Sequence, residues 1–130
     1  MLEAVSIARS RADVFGFVSD RYMLPRWTRA LRSVTALGAE YETPQGVVAS
    51  GLEVTAGADS GVVDWTMRLP DGAVERAYAR AIAEGECRTN LQFFFAPTLP
   101  PEKLTEMITF FSGVVRDELA ALKSLLEAAA

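Results

Sequence analysis

Between residues 33 and 96, β-branched and aromatic residues alternate with polar ones, and short turn-forming segments interrupt the alternation at regular intervals. These segments are Thr43-Pro44-Gln45-Gly46, Gly57-Ala58-Asp59-Ser60-Gly61, Pro70-Asp71-Gly72 and Glu84-Gly85-Glu86. Alternating segments separated by such turns pair as hairpins, so the pattern predicts successive antiparallel strands. The predicted strands lie near 33–42, 46–56, 61–69, 73–83 and 86–96.

The segments before this region predict one more strand and two short helices. Residues 2–8 alternate, which indicates a first strand with one buried face. Ser10 and Asp13 have the spacing of a capping box, and apolar residues follow at helical spacing, so we expect a helix over 11–19. Pro25 must break the chain, and a second helical turn can begin there because proline is tolerated at the first helical position.

The C-terminal segment predicts one long amphipathic helix over about 101–128. Proline at 101 and an acid at 102 are typical of a helix start. Apolar residues then recur at steps of three and four, which is the periodicity of a single buried helix face. This stripe comprises Leu104, Ile108, Phe111, Val115, Leu119, Leu122 and Leu126, and Met107, Phe110 and Val114 widen it in the first half.

The predicted strands have distinguishable faces. The inward sets are Val63, Trp65, Met67 and Leu69 in one strand and Leu91, Phe93 and Phe95 in the last. In strand 73–83 one face carries Ala73, Glu75, Ala77, Ala79, Ala81 and Ala83, and the other carries Val74, Arg76, Tyr78, Arg80 and Ile82. We assign the alanine face inward. Because protein interiors hold few large voids, a row of alanines requires either a closely packed helix, for which the last helix is the candidate, or a ligand.

Composition excludes several classes of function. A chain of 130 residues fits one domain spanning 1–130. Its formal charge of −4, with scattered basic residues, argues against nucleic-acid binding and against an anionic membrane surface. With no histidine and one cysteine, Cys87, the usual metal-ligand sets and histidine-dependent nucleophiles cannot be assembled, so we expect no metal and no cofactor.

Two expectations about location and assembly rest on weaker signals. The start of the chain has no signal-peptide pattern, and no window approaches a membrane-spanning length of about 20 apolar residues. A cytoplasmic location without membrane insertion follows by default. An exposed edge of a short sheet would allow a homodimer, although nothing in the sequence requires one.

The segment Val14-Phe15-Gly16-Phe17-Val18-Ser19-Asp20, followed by Leu24-Pro25-Arg26-Trp27, resembles the N-terminal signature of the SRPBCC superfamily. That superfamily includes START-like lipid-transfer domains, plant allergens and proteins of the polyketide cyclase/dehydrase type. The likeness is specific over residues 5–27 and extends to the whole chain in the order of elements. It implies an α+β helix-grip fold, in which a curved antiparallel sheet wraps around the long C-terminal helix and two short helices follow the first strand. We count six strands, one fewer than the seven usual in the superfamily, so one strand is either merged within 33–56 or absent.

The resemblance also implies a ligand cavity between the sheet and the C-terminal helix. The residues expected to line it are Trp65, Met67, Leu69, Ala77, Ala79, Leu91, Phe93, Phe95, Phe111 and Val115; alternatively, they are simply core. Trp27 matches the signature tryptophan and either caps the entrance or locks the short helices against the long one, with its N–H bonded to a carbonyl.

Three functions follow from this resemblance. The first is binding of a small hydrophobic or amphipathic molecule, such as a lipid or a polyketide-like compound. The second is a cofactor-free polyketide cyclase or dehydratase, for which Glu75 is the candidate catalytic residue, because burial beside apolar surface suits a carboxylate to acid–base work. Glu75 could instead lie solvated at the mouth of its strand. The third is a ligand-free protein-interaction module with a filled core.

Overall fold

The computed structural model describes residues 1–43, 46–95 and 101–129, and within them the chain forms seven strands, three α-helices and one 3-10 turn. The strands are β1 (Leu2–Ile7), β2 (Leu31–Val34), β3 (Gly38–Thr43), β4 (Gly46–Gly57), β5 (Val62–Arg68), β6 (Val74–Ala83) and β7 (Thr89–Phe95). The helices are α1 (Arg11–Val18), α2 (Leu24–Trp27) and α3 (Pro101–Ala128), and the 3-10 turn is Arg21–Met23.

The strands form one curved antiparallel sheet in the order β1-β7-β6-β5-β4-β3-β2. Strands β2 to β7 therefore form a meander of hairpins, as the turn pattern predicts. The first strand pairs with the last, with Val5 opposite Leu91. Because α1 and α2 connect β1 at one edge with β2 at the other, they lie across the end of the sheet.

The structure has seven strands where the sequence pattern predicted six. The segment predicted as one strand over 33–42 is a hairpin, in which β2 and β3 are joined by a tight turn. The Thr35 N–H donates to the Gly38 carbonyl at 2.8 Å, and the Thr35 hydroxyl accepts from the N–H groups of Leu37 and Gly38. The turn was hard to recognise because the apolar Leu37, which is 92% exposed at its tip, continues the strand-like pattern.

The start of α1 follows the predicted cap. Ser10 is the N-cap, and its hydroxyl accepts from the Asp13 N–H at 3.2 Å. The Asp13 carboxylate binds Arg9 at 2.8 Å and so does not complete a reciprocal capping box. Pro25 stands in the first turn of α2, as expected from its fixed backbone angle.

The alanine face of β6 points inward, as predicted. Ala77, Ala79 and Ala81 are buried, whereas Tyr78 on the opposite face is exposed. The helix that approaches β6 is α1, and α3 makes its main sheet contact at β1. The prediction that the last helix covers the alanine row is therefore wrong, because α1 is the helix with the main contact to β6.

Among its described residues, helix α3 is fully buried only at positions in its second half. Its apolar residues there, from Val115 to Leu126, belong to the core, but Phe110 is 61% exposed and Leu104 is 37% exposed. The predicted wide apolar face of the first half is thus not covered by the described residues. No helix in the described part of the chain combines the length and the apolar character needed to cross a membrane.

Side chains of α3 bind backbone groups of the edge strand β1 and of the residue that follows it. The Lys123 ammonium donates to the Ser6 carbonyl at 2.7 Å, and Glu127 accepts from the Ala8 N–H at 2.8 Å. The hydrogen bond from the Lys123 ammonium to Glu127 at 2.7 Å, followed by that from the Ala8 N–H, holds the pKa of Glu127 below its usual range. A covered edge is protected from pairing with another sheet.

Candidate functional site

A cavity of about 120 Å³ lies between the concave face of the sheet and the helices α2 and α3. Most of its wall is apolar, and two carboxylates, one phenol and one hydroxyl interrupt it. The described lining residues are Leu24, Trp27, Thr28, Ala30, Leu31, Tyr41, Leu52, Trp65, Met67, Glu75, Ala77, Phe93, Phe95, Phe111, Val114, Val115 and Glu118.

Strand register explains why there is space at this point. Ala77 lies directly between Trp65 on β5 and Phe95 on β7. Large aromatic side chains on the neighbouring strands stand above the sheet, and the methyl group of alanine leaves a depression between them. The cavity therefore follows from one small residue placed in register with two large ones.

Aromatic rings form much of the wall. Trp27 packs edge-on against Trp65 with ring centroids 6.3 Å apart, and Trp65 lies 5.8 Å from Phe93. On the helix side, Phe111 packs edge-on against Phe95 at 5.3 Å. Such edge-to-face pairs add stability beyond the area that they bury, so this part of the wall is held rigidly.

The first polar contact in the cavity joins two distant strands. The Tyr41 hydroxyl on β3 donates to the Glu75 carboxylate on β6 at 2.9 Å. Strands β4 and β5 lie between them in the sheet, so the bond crosses the concave face. Burial, together with the nearby negative charges of Glu75 and Glu118, raises the pKa of Tyr41, which keeps its hydroxyl protonated as a donor.

The second polar group is Glu118 on α3, which is 9% exposed. Burial raises its pKa to about 7, although the backbone N–H of Arg29 donates to the carboxylate and the charge of Arg29 acts in the opposite direction. The Arg29 guanidinium is itself exposed and pairs with Asp117 at 3.4 Å. Glu118 therefore exchanges its proton near neutral pH inside a largely apolar cavity.

The structure brings seven of the ten predicted pocket residues into the cavity wall: Trp65, Met67, Ala77, Phe93, Phe95, Phe111 and Val115. The other three lie elsewhere. Ala79 and Leu91 are buried in the core, and Leu69 follows the end of β5 and is half-buried. Whether the lining residues bind a ligand remains a prediction.

Glu75 is half-buried in the cavity wall and hydrogen-bonded to Tyr41. Glu75 is therefore neither fully solvated at the mouth of its strand nor fully buried. It interrupts the alanine face as predicted, opposite Met67 on β5.

Trp27 is 4% exposed and packs at the junction of α2, α3 and the sheet, where it also lines the cavity. The expectation that its N–H binds a carbonyl is wrong, because the indole nitrogen has no hydrogen-bond partner among the described residues. The same holds for the indole nitrogen of Trp65. Both nitrogens are buried, so the rings rather than the N–H groups meet the cavity.

Sequence reasoning missed Tyr41 and Glu118, although signals for both were present. Glu118 follows Val115 by three residues and precedes Leu122 by four, which places it on the apolar face of the helix. Tyr41 shares its strand parity with the buried Ala39 and not with the exposed Glu40. Both patterns therefore predict a polar side chain that faces the interior of the protein.

The described residues contain no group of three side chains that could hold a metal ion. What the cavity does offer is one donor-acceptor pair, Tyr41 with Glu75, and one carboxyl group, Glu118, that titrates near neutral pH. Such groups can orient a polar substituent of an apolar molecule, and they can transfer protons.

Comparison with known proteins identifies the fold. No protein-family model matches the chain, and a search of curated proteins finds no significant match. Among solved structures, a START superfamily protein from Mycobacterium smegmatis superposes with a TM-score of 0.70 and 16% identity, covering 100% of this chain and 98% of that one. The Zhui aromatase/cyclase from Streptomyces sp. R1128 gives a TM-score of 0.69 and 14% identity, over 99% of this chain and 91% of that one.

The di-domain ARO/CYC BexL from the BE-7585A biosynthetic pathway has a TM-score of 0.76 and 12% identity; it matches 95% of this chain, which spans 45% of BexL. At these identities the likeness concerns the fold, and it agrees with the strand order and the long terminal helix described above. The chain has a START-like helix-grip fold.

Proposed function

We propose that the protein binds a small, largely apolar molecule with a polar substituent in the cavity between the sheet and α3. The observation that carries this proposal is a cavity of about 120 Å³ whose wall is aromatic and aliphatic except for a few convergent polar groups. Small-molecule sites commonly have this composition. The cavity also favours binding over a ligand-free interaction module, which would have a filled core.

The size of the cavity limits the ligand. A cavity of about 150 Å³ engineered into another protein accepts benzene, so 120 Å³ suits a single ring or a short branched chain. A lipid with long acyl chains would need a larger space than this volume provides. The ligand that we propose is therefore a compact molecule or one compact part of a larger one.

Filling the cavity tests this proposal. In Ala77→Leu the added side-chain atoms would occupy the depression between Trp65 and Phe95, so we expect affinity for a neutral probe, benzyl alcohol, to fall at least tenfold. Fluorescence reports binding directly, because the only two tryptophans of the chain, Trp27 and Trp65, both line the cavity.

The matched control is Ala83→Leu, the same substitution at the exposed end of the same strand. It should leave the affinity within twofold of the unmodified protein. Equal affinities for Ala77→Leu and the unmodified protein, with both folded, would count against the cavity as the binding site. Mass spectrometry of small molecules released on denaturation would identify a retained natural ligand.

A second candidate function, a cofactor-free cyclase or dehydratase, is favoured by the arrangement of Tyr41, Glu75 and Glu118 around the cavity. In an aldol cyclisation a carboxylate removes a proton from a carbon beside a carbonyl, and an acid donates a proton to the oxygen of the carbonyl attacked. Loss of water then completes a dehydration. Glu75 could accept the first proton, and Glu118, which titrates near neutral pH, could donate the second.

The catalytic candidate has its own test. If the protein is such an enzyme, Glu75→Gln should lower turnover of a compact diketone substrate by about 10²- to 10⁴-fold, the usual contribution of a general acid or base. Binding of the same diketone should change little, because glutamine keeps the shape and can still accept from Tyr41. Unchanged turnover in Glu75→Gln would exclude the role, and the absence of turnover in the unmodified protein would leave binding as the function.

A further inference from the structure

The ionisable groups of the cavity wall have one sign of charge. They are the carboxyl groups of Glu75 and Glu118 and the phenol of Tyr41, and no lysine or arginine is among the described lining residues. Each of these three groups is either neutral or negative. The cavity as a whole therefore favours a positive ligand over a negative one.

Among the described residues, the cation that acts on the buried carboxylate of Glu118 is Arg29, which is exposed. The hydrogen-bond partner of the carboxylate is the backbone N–H of Arg29, and the guanidinium of that residue lies at the surface beside Asp117. A carboxylate that is ionised away from water without a counterion is costly. A positive group in the cavity would offset that cost, and the adjoining cavity supplies the space that a surface cluster of acids lacks.

The aromatic walls independently favour a positive charge. Five aromatic rings other than Tyr41 line the cavity: Trp27, Trp65, Phe93, Phe95 and Phe111. The face of an aromatic ring carries negative charge density and attracts ammonium groups within about 6 Å of its centre. The indole nitrogens of Trp27 and Trp65 are buried, so carbon atoms of the two rings line the cavity.

We propose that the cavity accepts a small amine, with an apolar or aryl body against the aromatic wall and a protonated amino group bound by Glu75 and Glu118. This inference rests on the ligand-binding function proposed above and specifies its chemical class. The Tyr41 hydroxyl positions the Glu75 carboxylate through their 2.9 Å hydrogen bond. Carboxylate ligands such as short fatty acids are disfavoured, because their charge repels both acids.

Three probes of nearly equal size test the charge preference: benzylamine, benzyl alcohol and benzoate, measured by tryptophan fluorescence at pH 8. At that pH alkylamines are protonated, and Glu118, with a pKa of about 7, is largely ionised. We expect benzylamine to bind at least tenfold more tightly than benzyl alcohol, and benzoate to bind more weakly than either.

Two variants locate the effect. Glu118→Gln and Glu75→Gln should each weaken benzylamine binding about tenfold more than they weaken benzyl alcohol binding, because glutamine keeps a polar group of the same shape and removes the negative charge. The matched control is Glu106→Gln, an exposed acid on the same helix, which should change neither affinity.

The outcomes separate the two proposals. If benzyl alcohol binds and benzylamine binds no more tightly, or if Glu106→Gln weakens amine binding as much as the two cavity variants, the amine inference fails and ligand binding stands. If none of the three probes binds, both proposals are overturned.

Discussion

Replacing Trp27 with alanine is expected to lower the free energy of unfolding by about 3–5 kcal/mol, the range for truncating a large buried aromatic. The ring is 4% exposed and packs on Trp65, and α2, which carries it, contacts α3 and β2. Because the cavity already lies beside the ring, the void left by truncation would merge with it and could not easily collapse. Urea denaturation followed by circular dichroism measures the loss.

Two controls separate packing from other effects of the substitution. Trp27→Phe should retain most of the stability, because phenylalanine keeps an aromatic ring. The indole nitrogen that it removes makes no hydrogen bond to the described residues. Tyr22 is a nearby aromatic residue that is 54% exposed, and Tyr22→Ala should change the free energy of unfolding by only about 0.5 kcal/mol. A loss below about 1 kcal/mol in Trp27→Ala would contradict the prediction that Trp27 locks the short helices against the long one.

Replacing Glu118 with glutamine is expected to stabilise the protein above pH 7 and to have little effect near pH 4. The folded state raises the pKa of Glu118 from 4.5 to about 7, so it holds a proton that the unfolded chain releases. This group's contribution to stability is complete below pH 4.5 and is lost as the pH rises through 7. The shift corresponds to an upper bound of roughly 3 kcal/mol at pH 8, and glutamine, which stays neutral, avoids that loss.

The measurement is the difference in unfolding free energy between variant and unmodified protein at pH 5, 6.5 and 8. That difference should grow with pH. Glu127→Gln is a matched control on the same helix, for which the pH dependence should have the opposite sign. The folded state lowers the pKa of Glu127, so this carboxylate stabilises the protein at pH values above the usual pKa of glutamate. A difference for Glu118→Gln that is constant across this pH range would show that the carboxyl group is not buried as described.

Much of the fold could be predicted from the sequence, because the features concerned depend on local physical rules. The parity of residues in β5 and β7, the alanine face of β6 and the proline at the start of α2 all depend on neighbours within a few positions. The β2–β3 hairpin escaped detection for a local reason as well. Its turn contains an exposed leucine, Leu37, where turn-forming residues are more usual.

The site itself was predictable only in its apolar part. Trp65, Phe93 and Phe95 are recognisable as inward residues of their strands, but which of several inward residues border an empty space depends on strand register and on where the helices lie. Ala79 shows this dependence, because it belongs to the same buried alanine row as Ala77 and yet lies outside the cavity wall.

The sequence by itself determined the order of the elements, the inward faces of the central strands and the absence of histidine chemistry, because periodicity and composition are properties of the chain. The tertiary structure decided that Tyr41, Glu75 and Glu118 share one cavity, although 34 residues separate the first two. The curvature of the sheet brings side chains of β3 and β6, which are not neighbouring strands, within hydrogen-bonding distance. Burial at the same cavity raises the pKa of Glu118. No local pattern encodes that distance, since it depends on how the whole sheet bends around the helix.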